Sequence, residues 1–426
     1  MIPSTTLARG SALFGQPRGL VVLFMTEMWE KFSFFGMRAL QVYYMTKQLH
    51  FSQADASMIF GLYAGGVYLT PIFGGYAADR WLGRRRAILG GGALMALGHF
   101  ALASEDLFFP SLVLIALGNG LFLPNLPSQV GDLYDEHDPR RSGAYNLYYM
   151  GVNLGGLLGA LGCGALGEIY GWHVGFGAAG VGMCVGLAIY ALNGRHLPPD
   201  RPLDNQRSTV KAEAPKHQAK GSVLPLLLVA LAVIVFRSAY EQSGNTVALW
   251  VEARVDRHLL GRLVPATWMQ SLNPLFVIAF TPSLVAAWRR TAARGREPSA
   301  IARMAMGAAI VAVSYAMLAL VAESAGSEPV HMGWALLFFV LYTLGELHIL
   351  PVGLGLFARL APVGMGATVI AAWFLASFGG NLLSGVVGRG YESMGPTGFF
   401  GLLAAIAGAS AAALLALAPL VRRIEP

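Results

Sequence analysis

An all-α integral membrane protein, built as two bundles of six helices, is the fold class this chain predicts, and three observations carry that expectation. Of its 426 residues 55% are hydrophobic and only 12% are charged, against about 25% charged in soluble domains. Its mean hydropathy is +0.55. About twelve apolar stretches are long enough to cross a bilayer, and a polar, basic stretch near the middle divides them evenly.

The first span, 20–45, holds the most informative residues. Glu27, Glu30, Lys31 and Arg38 stand inside a run that is otherwise apolar. Each ionisable group costs roughly 2.5–3.5 kcal/mol near a bilayer centre, so such groups pair or face a watery cavity and mark function by default. At about 100° per residue Glu27, Lys31 and Arg38 share one stripe, with Glu30 on its flank. Glu27 and Lys31 stand at i and i+4 in the favourable acid-to-base order. Phe34, Phe35 and Tyr43 border the stripe, which reads as the wall of a pathway; a purely structural salt-bridge network is the alternative.

The next spans read 57–77, 87–103, 108–131, 144–166 and 174–193. Between the second and third lies a loop carrying Asp79, Arg80 and Arg84–Arg86, which suits a clasp between cytoplasmic helix ends. From 194 to 221 the chain turns to Pro, Asp, Arg and Lys, the composition of a solvated linker. It separates a first bundle (1–193) from a second (222–426). That bundle holds spans at 224–250, 267–288, 301–322, 332–357, 365–386 and 397–420. Six plus six helices about a basic linker is the layout of the major facilitator fold.

The charges orient the spans. Arg9, Arg18, Arg80, Arg84–Arg86, Arg140, Arg141, Arg195, Arg201, Arg207, Lys211, Lys216 and Lys220 fall on one side. Arg289, Arg290, Arg294, Arg296, Arg303, Arg359, Arg422 and Arg423 join them. The other side has Glu105, Asp106, Glu323 and Glu328, with Arg254, Arg257 and Arg262 as exceptions. The positive-inside rule then puts both termini in the cytoplasm of a cell-membrane protein. The arginine-rich loops are therefore topology signals rather than a nucleic-acid surface. Fifty-three glycines fit closely packed membrane helices. Cys163 and Cys184 lie in apolar runs without C-x-x-C spacing, so neither a zinc site nor a disulfide framework is expected. No cleaved signal is expected before Gly19.

Motifs in both halves resemble one family. E-M-W-E-K-F-S-F-F-G-M-R from Glu27 is similar to the E-x-x-E-R-F-x-Y-Y-G-x-R run of proton-dependent oligopeptide transporters. G-G-Y-A-A-D-R-W-L-G-R-R-R-A-I from Gly74 resembles that family's loop motif. N-L-Y-Y-M-G-V-N-L-G-G from Asn146 resembles its fifth-helix motif. In the second half Y-E-Q-S-G-N-T from Tyr240, S-L-N-P-L-F from Ser271, G-E-L-H-I-L-P-V-G-L from Gly345 and A-A-W-F-L-A-S-F-G-G-N from Ala371 continue the match in order.

The resemblance implies roles. Glu27, Glu30 and Lys31 take the proton-coupling positions, with Lys31 where the family usually has Arg. Glu241 is also implied in coupling. Arg38 is implied as the anchor of a peptide carboxylate and, with Glu241, as an outer gate. Arg237 precedes Glu241 by one turn where the family usually has an aromatic, and it can compete for Glu241. Glu346, Asn153 and Asn273 match the site of a peptide ammonium, whose three donors want acceptors. Phe34, Phe35, Tyr68 and Trp373 match the aromatic lining. Leu123, ahead of Pro124–Asn125, replaces a usual lysine, and the two extra helices common in bacterial members have no room in 194–221.

The expectation is a proton-coupled symporter that imports di- and tripeptides by alternating access, with protons as coupling ion, no other cofactor, no nucleic-acid partner, and a monomeric state in the bilayer. The same fold carrying nitrate, a modified amino acid or a drug-like compound is the alternative. An enzyme is not expected: neither H-E-x-x-H nor G-x-S-x-G occurs, and His348 follows Glu346 at the wrong spacing for a helical metal pair.

Overall fold

A computed structural model describes residues 15–135, 138–200, 224–360 and 366–422, with 366–370 described by backbone alone. The predicted linker beyond Asp200, and Arg9, Arg201, Arg207, Lys211, Lys216, Lys220 and Arg423, lie outside the described residues.

The described chain is helical nearly throughout. Its first part contains α1 (Arg18–Lys47), α2 (Gln53–Ala77), α3 (Arg84–Ala101), α4 (Phe108–Phe122), α5 (Asn125–Asp132), α6 (Arg140–Tyr170) and α7 (Trp172–Leu192). Its second contains α8 (Leu224–Tyr240), α9 (Thr246–Arg254), α10 (Thr267–Ala293), α11 (Ala300–Ala325), α12 (Met332–Leu360), α13 (Gly366–Gly388) and α14 (Tyr391–Arg422). With α4–α5 and α8–α9 each counted as one broken rod, these fourteen helices coincide with the twelve expected spans. Ten of the rods are long and apolar enough to cross a membrane. The other two are α1, with its four ionisable residues, and α3, which opens on three arginines.

The two breaks differ in kind. Pro124 has no N–H to donate, so the hydrogen-bond ladder lapses between the end of α4 at Phe122 and the start of α5 at Asn125, although Leu123 and Pro124 keep helical backbone angles. The Asn125 amide then donates to the Leu121 carbonyl at 2.7 Å. In the seventh rod the expected continuous span is interrupted by a 3-10 turn, Glu241–Gly244. Tightening a helix there leaves carbonyls that need other donors. The Tyr315 hydroxyl donates to Ala239 O and the Tyr342 hydroxyl to Tyr240 O, each at 2.7 Å. The last rod also turns, at Gly395 with φ 68°, just before Pro396. Four two-residue strands occur among the described residues: a parallel pair, Val255–Asp256 with Val330–His331, and a hairpin, His258–Leu259 with Arg262–Leu263.

The chain forms two compact units, residues 1–40 with 70–208 and residues 41–69 with 209–426. The end of α1 and the start of α2 thus pack with the second unit, although they precede the linker in sequence. In the first unit α3 packs on α4 and α7, and α6 on α7. Gly155 and Gly159 of α6 lie against the Met28 and Phe32 carbonyls of α1, leaving no room for a Cβ. In the second unit α11 packs on α12 and α14, and α8 on α13 and α14. Trp250, Tyr315, Phe338, Phe399 and Phe400 fill that core.

Candidate functional site

In the first unit, one turn of α1 brings three charged side chains together. Lys31 Nζ stands 2.7 Å from Glu30 Oε2 and 3.5 Å from Glu27 Oε1. Glu27 is 1% exposed, Glu30 0% and Lys31 8%, so water cannot screen the cluster. One lysine faces two carboxylates, and Glu27 Oε2 and Glu30 Oε1 have no hydrogen-bond partner. Ionised together, the three groups carry an uncompensated negative charge in a low-dielectric place, which is costly unless a proton or a cation relieves it. The Tyr148 hydroxyl of α6 is buried within electrostatic reach of Glu27. Sequence reading passed over it, although it stands inside a motif quoted above.

The neighbours of this cluster are apolar. Lys31 Nζ lies 5.8 Å from the centre of the Phe34 ring, and Phe34 meets Phe35 edge-on at 5.3 Å. Gly156 of α6 lies against Phe35 and Gly155 against the Lys31 stem. Asn153 is buried and donates its amide N–H to Tyr149 O at 3.0 Å. Its carbonyl oxygen is the atom an ammonium would want. Arg38 is half-buried two turns beyond Lys31.

In the second unit, the Asn273 amide of α10 donates to Glu346 Oε2 at 2.5 Å and to Thr343 Oγ1 at 3.1 Å on α12. Tyr240 lies within electrostatic reach of Glu346, and its ring stacks on Tyr342 at 4.9 Å. Arg237 Nη1 lies 2.6 Å from Glu241 Oε1, one turn further along the chain, both residues being buried. The Arg237 guanidinium covers Tyr68 of α2 at 5.1 Å. Trp373 is buried, edge-on to Phe357 at 5.2 Å and over Gly353.

A second polar system in this unit was not singled out from sequence. Gln53 Nε2 donates to Ser57 Oγ at 2.6 Å and to Gly388 O at 2.9 Å, and Ser57 Oγ donates to Asn245 Oδ1 at 3.1 Å. Asn245 Nδ2 donates to Gln242 Oε1 at 3.2 Å, and Gln242 Nε2 to Ser384 O at 2.8 Å. The chain of bonds fastens the start of α2 to the seventh-rod break and to α13, with every member buried.

The loop residues divide their work. Asp79 and Arg80 lie on a π-helical turn, Ala78–Leu82, and Gly83 turns the chain at φ 76° into α3. Arg84 Nη1 pairs with Asp132 Oδ2 of α5 at 2.6 Å, and Asp79 lies within electrostatic reach of Arg84. Arg80 binds the Tyr76 hydroxyl at 3.0 Å. The Arg85 N–H donates to Asp200 at 3.2 Å, and its guanidinium lies over Gly194. The acids that meet these arginines, Asp132 and Asp200, come from distant sequence. His348 Nδ1 binds Leu344 O at 2.7 Å, and no metal-binding cluster occurs among the described residues.

Comparisons with known proteins identify the family and the fold. A sequence model of the PTR2 (POT) family matches residues 85–215 and 207–394. The peptide transporter YePEPT of Yersinia enterocolitica is 33% identical, over 91% of this chain and 90% of its own length. A di-/tripeptide transporter of Lactococcus lactis is also 33% identical, over 85% of this chain and 87% of its own. The crystal structure of a peptide transporter, POT, in complex with sulfate superposes with a TM-score of 0.89 at 29% identity, covering 100% of this chain and 99% of that one.

Proposed function

The chain belongs to the POT family of multi-pass membrane transporters, and on that premise we propose that it imports di- and tripeptides together with protons by alternating access. The transport of peptides by the Yersinia and Lactococcus relatives supports the cargo. The observation that carries the coupling is the buried set of two carboxylates sharing one lysine, Glu27, Glu30 and Lys31. A single proton relieves its excess negative charge, and moving one charge across about 100 mV supplies about 2.3 kcal/mol.

The Asn273–Glu346 pair receives the peptide's ammonium, because a carboxylate and an amide oxygen suit a group with three donors. A simple anion such as nitrate would meet a carboxylate there, which disfavours that cargo. Arg38 anchors the peptide's carboxylate. Protons are the coupling ion and no other cofactor is required. The protein works as a monomer in the cell membrane with both termini in the cytoplasm.

Uptake of labelled dialanine into proteoliposomes tests this reading. An inward proton gradient should drive accumulation above the outside concentration, and collapsing the gradient should abolish it. Equal accumulation without a gradient would refute coupling; no dialanine uptake at all would refute the cargo.

A further inference from the structure

We propose that the second unit carries a headgroup site for an anionic phospholipid, in a cavity between the start of α11 and the end of α12. The inference uses the chain's crossing of a membrane and stands apart from the peptide cargo. Its starting point is charge. From Arg289 to Arg303 the sequence holds five arginines and one acid, Glu297, and Arg359 adds a sixth arginine near the end of α12. Bias toward one side of the bilayer accounts for their sign. It does not account for the placement of two of them.

Those two, Arg303 and Arg359, line a cavity of about 320 Å³ together with Glu297 and Ser299. Both α10 and α11 pack on α12, which brings the arginines of two helices to one place. Arg303 is held on two sides. Its guanidinium lies 5.2 Å from the centre of the Trp288 ring of α10, a cation–π distance, and its Nη2 pairs with Glu297 Oε1 at 2.8 Å. Trp288 is in turn set edge-on to His348 of α12 at 5.4 Å.

Glu297 thus balances Arg303. Arg359 is exposed, and no carboxylate pairs with it among the described residues, so the cavity keeps a net positive charge. Ser299 Oγ accepts from the Ala302 N–H at 3.4 Å, which leaves its own hydrogen to donate. A fixed guanidinium, a second one on an exposed stem and a hydroxyl are donors suited to phosphate oxygens.

The surface leading away from the arginines identifies that phosphate as a lipid's. On α11 the face of Arg303 continues through Met306 and Ile310, at i+3 and i+7. On α12 the face of Arg359 runs back through Gly355 and Val352, at i−4 and i−7. Met306 is 42% exposed, Ile310 and Val352 are half-buried, and a Cβ at Gly355 would meet no atom within 4 Å. No Asp, Glu, Lys or Arg stands on α11 between Arg303 and Glu323, nor on α12 between Glu346 and Arg359. A soluble phosphate has no use for such an apolar strip, whereas the acyl chains of a bound lipid lie along it. Basic pockets between membrane helices hold anionic headgroups in this way.

Native mass spectrometry of the whole detergent-purified protein, titrated with dioleoyl phosphatidylglycerol or dioleoyl phosphatidylcholine, tests the site. Phosphatidylglycerol should be retained more tightly. Arg359→Gln should weaken its binding roughly fivefold, the worth of one basic residue near an anionic surface, and Arg359→Lys should weaken it less. Arg294→Gln removes the same charge from the α10–α11 loop, outside the cavity, and should leave binding within about twofold, because solvent and salt screen it. Both side chains are exposed, so neither change threatens the fold. Excess glycerol 3-phosphate should not displace the lipid, because it offers a phosphate without acyl chains.

Equal retention of the two lipids overturns the proposal. Equal weakening by Arg359→Gln and Arg294→Gln also overturns it, by reducing the cavity to diffuse surface charge. Displacement by glycerol 3-phosphate overturns the lipid in favour of a soluble phosphate ligand. Peptide uptake enters none of these measurements, so their outcome leaves the transport reading untouched.

Discussion

Replacing Gln242 with leucine, which is close in volume, tests whether the buried polar chain around the seventh-rod break holds the second unit together. Gln242 Oε1 accepts from Asn245 Nδ2 at 3.2 Å and from Thr246 Oγ1 at 3.0 Å. Its Nε2 donates to Ser384 O at 2.8 Å, Ser384 Oγ at 3.1 Å and Ser238 O at 3.2 Å. Gln242, Asn245 and Thr246 are all 0% exposed, so water cannot replace what leucine removes. Two donors lose their acceptor, and at about 1–3 kcal/mol for each stranded group the loss is about 2–6 kcal/mol. Thermal unfolding of the detergent-purified protein, followed by tryptophan fluorescence, reads the effect as a lower midpoint. Ser384→Ala is the control, for it leaves Gln242 bonded to Ser384 O and should cost no more than about 1.5 kcal/mol. Gln242→Leu melting with the wild type, or no lower than Ser384→Ala, would refute the reasoning.

Other perturbations probe the remaining parts. A Cβ at Gly155 would stand 2.8 Å from the Lys31 Cβ, against about 3.5–4.0 Å for ordinary carbon contacts. Gly155→Ala should therefore part α1 from α6, cost about 1–3 kcal/mol in thermal stability, and lower gradient-driven uptake more than counterflow. Glu346→Gln removes a charged acceptor and should raise the half-saturating dialanine concentration roughly tenfold to a hundredfold, with a smaller effect on an N-blocked analogue in a competition assay. Arg84→Asp and Asp132→Arg should each slow transport. Their combination should recover part of the rate, because the half-buried pair survives a swap of ends; a double variant no better than the singles would exclude the clasp.

Much of the fold was legible because bilayer crossing imposes one pattern, a long apolar run with charges at its ends, and twelve such runs became twelve rods. The breaks were less legible. Pro124 announces one, but the turn at Glu241–Gly244 depends on Tyr315 and Tyr342, some 70 to 100 residues away, for its spare carbonyls. Glu27, Glu30 and Lys31 could be placed together from helical periodicity alone, as could Arg237 with Glu241. The Asn273–Glu346 bond joins two helices, so only the family resemblance suggested it. Asp132 and Asp200 carry no local sign that they meet Arg84 and Arg85.

The central claim is that the buried carboxylates beside Lys31 carry the coupled proton. The direct test compares wild type and Glu30→Gln in two assays on the same proteoliposomes, proton-driven dialanine accumulation and dialanine counterflow without a gradient. Binding and exchange need not move a proton, so the variant should lose accumulation and keep counterflow. A Glu30→Gln protein that still accumulates dialanine like the wild type would contradict the account.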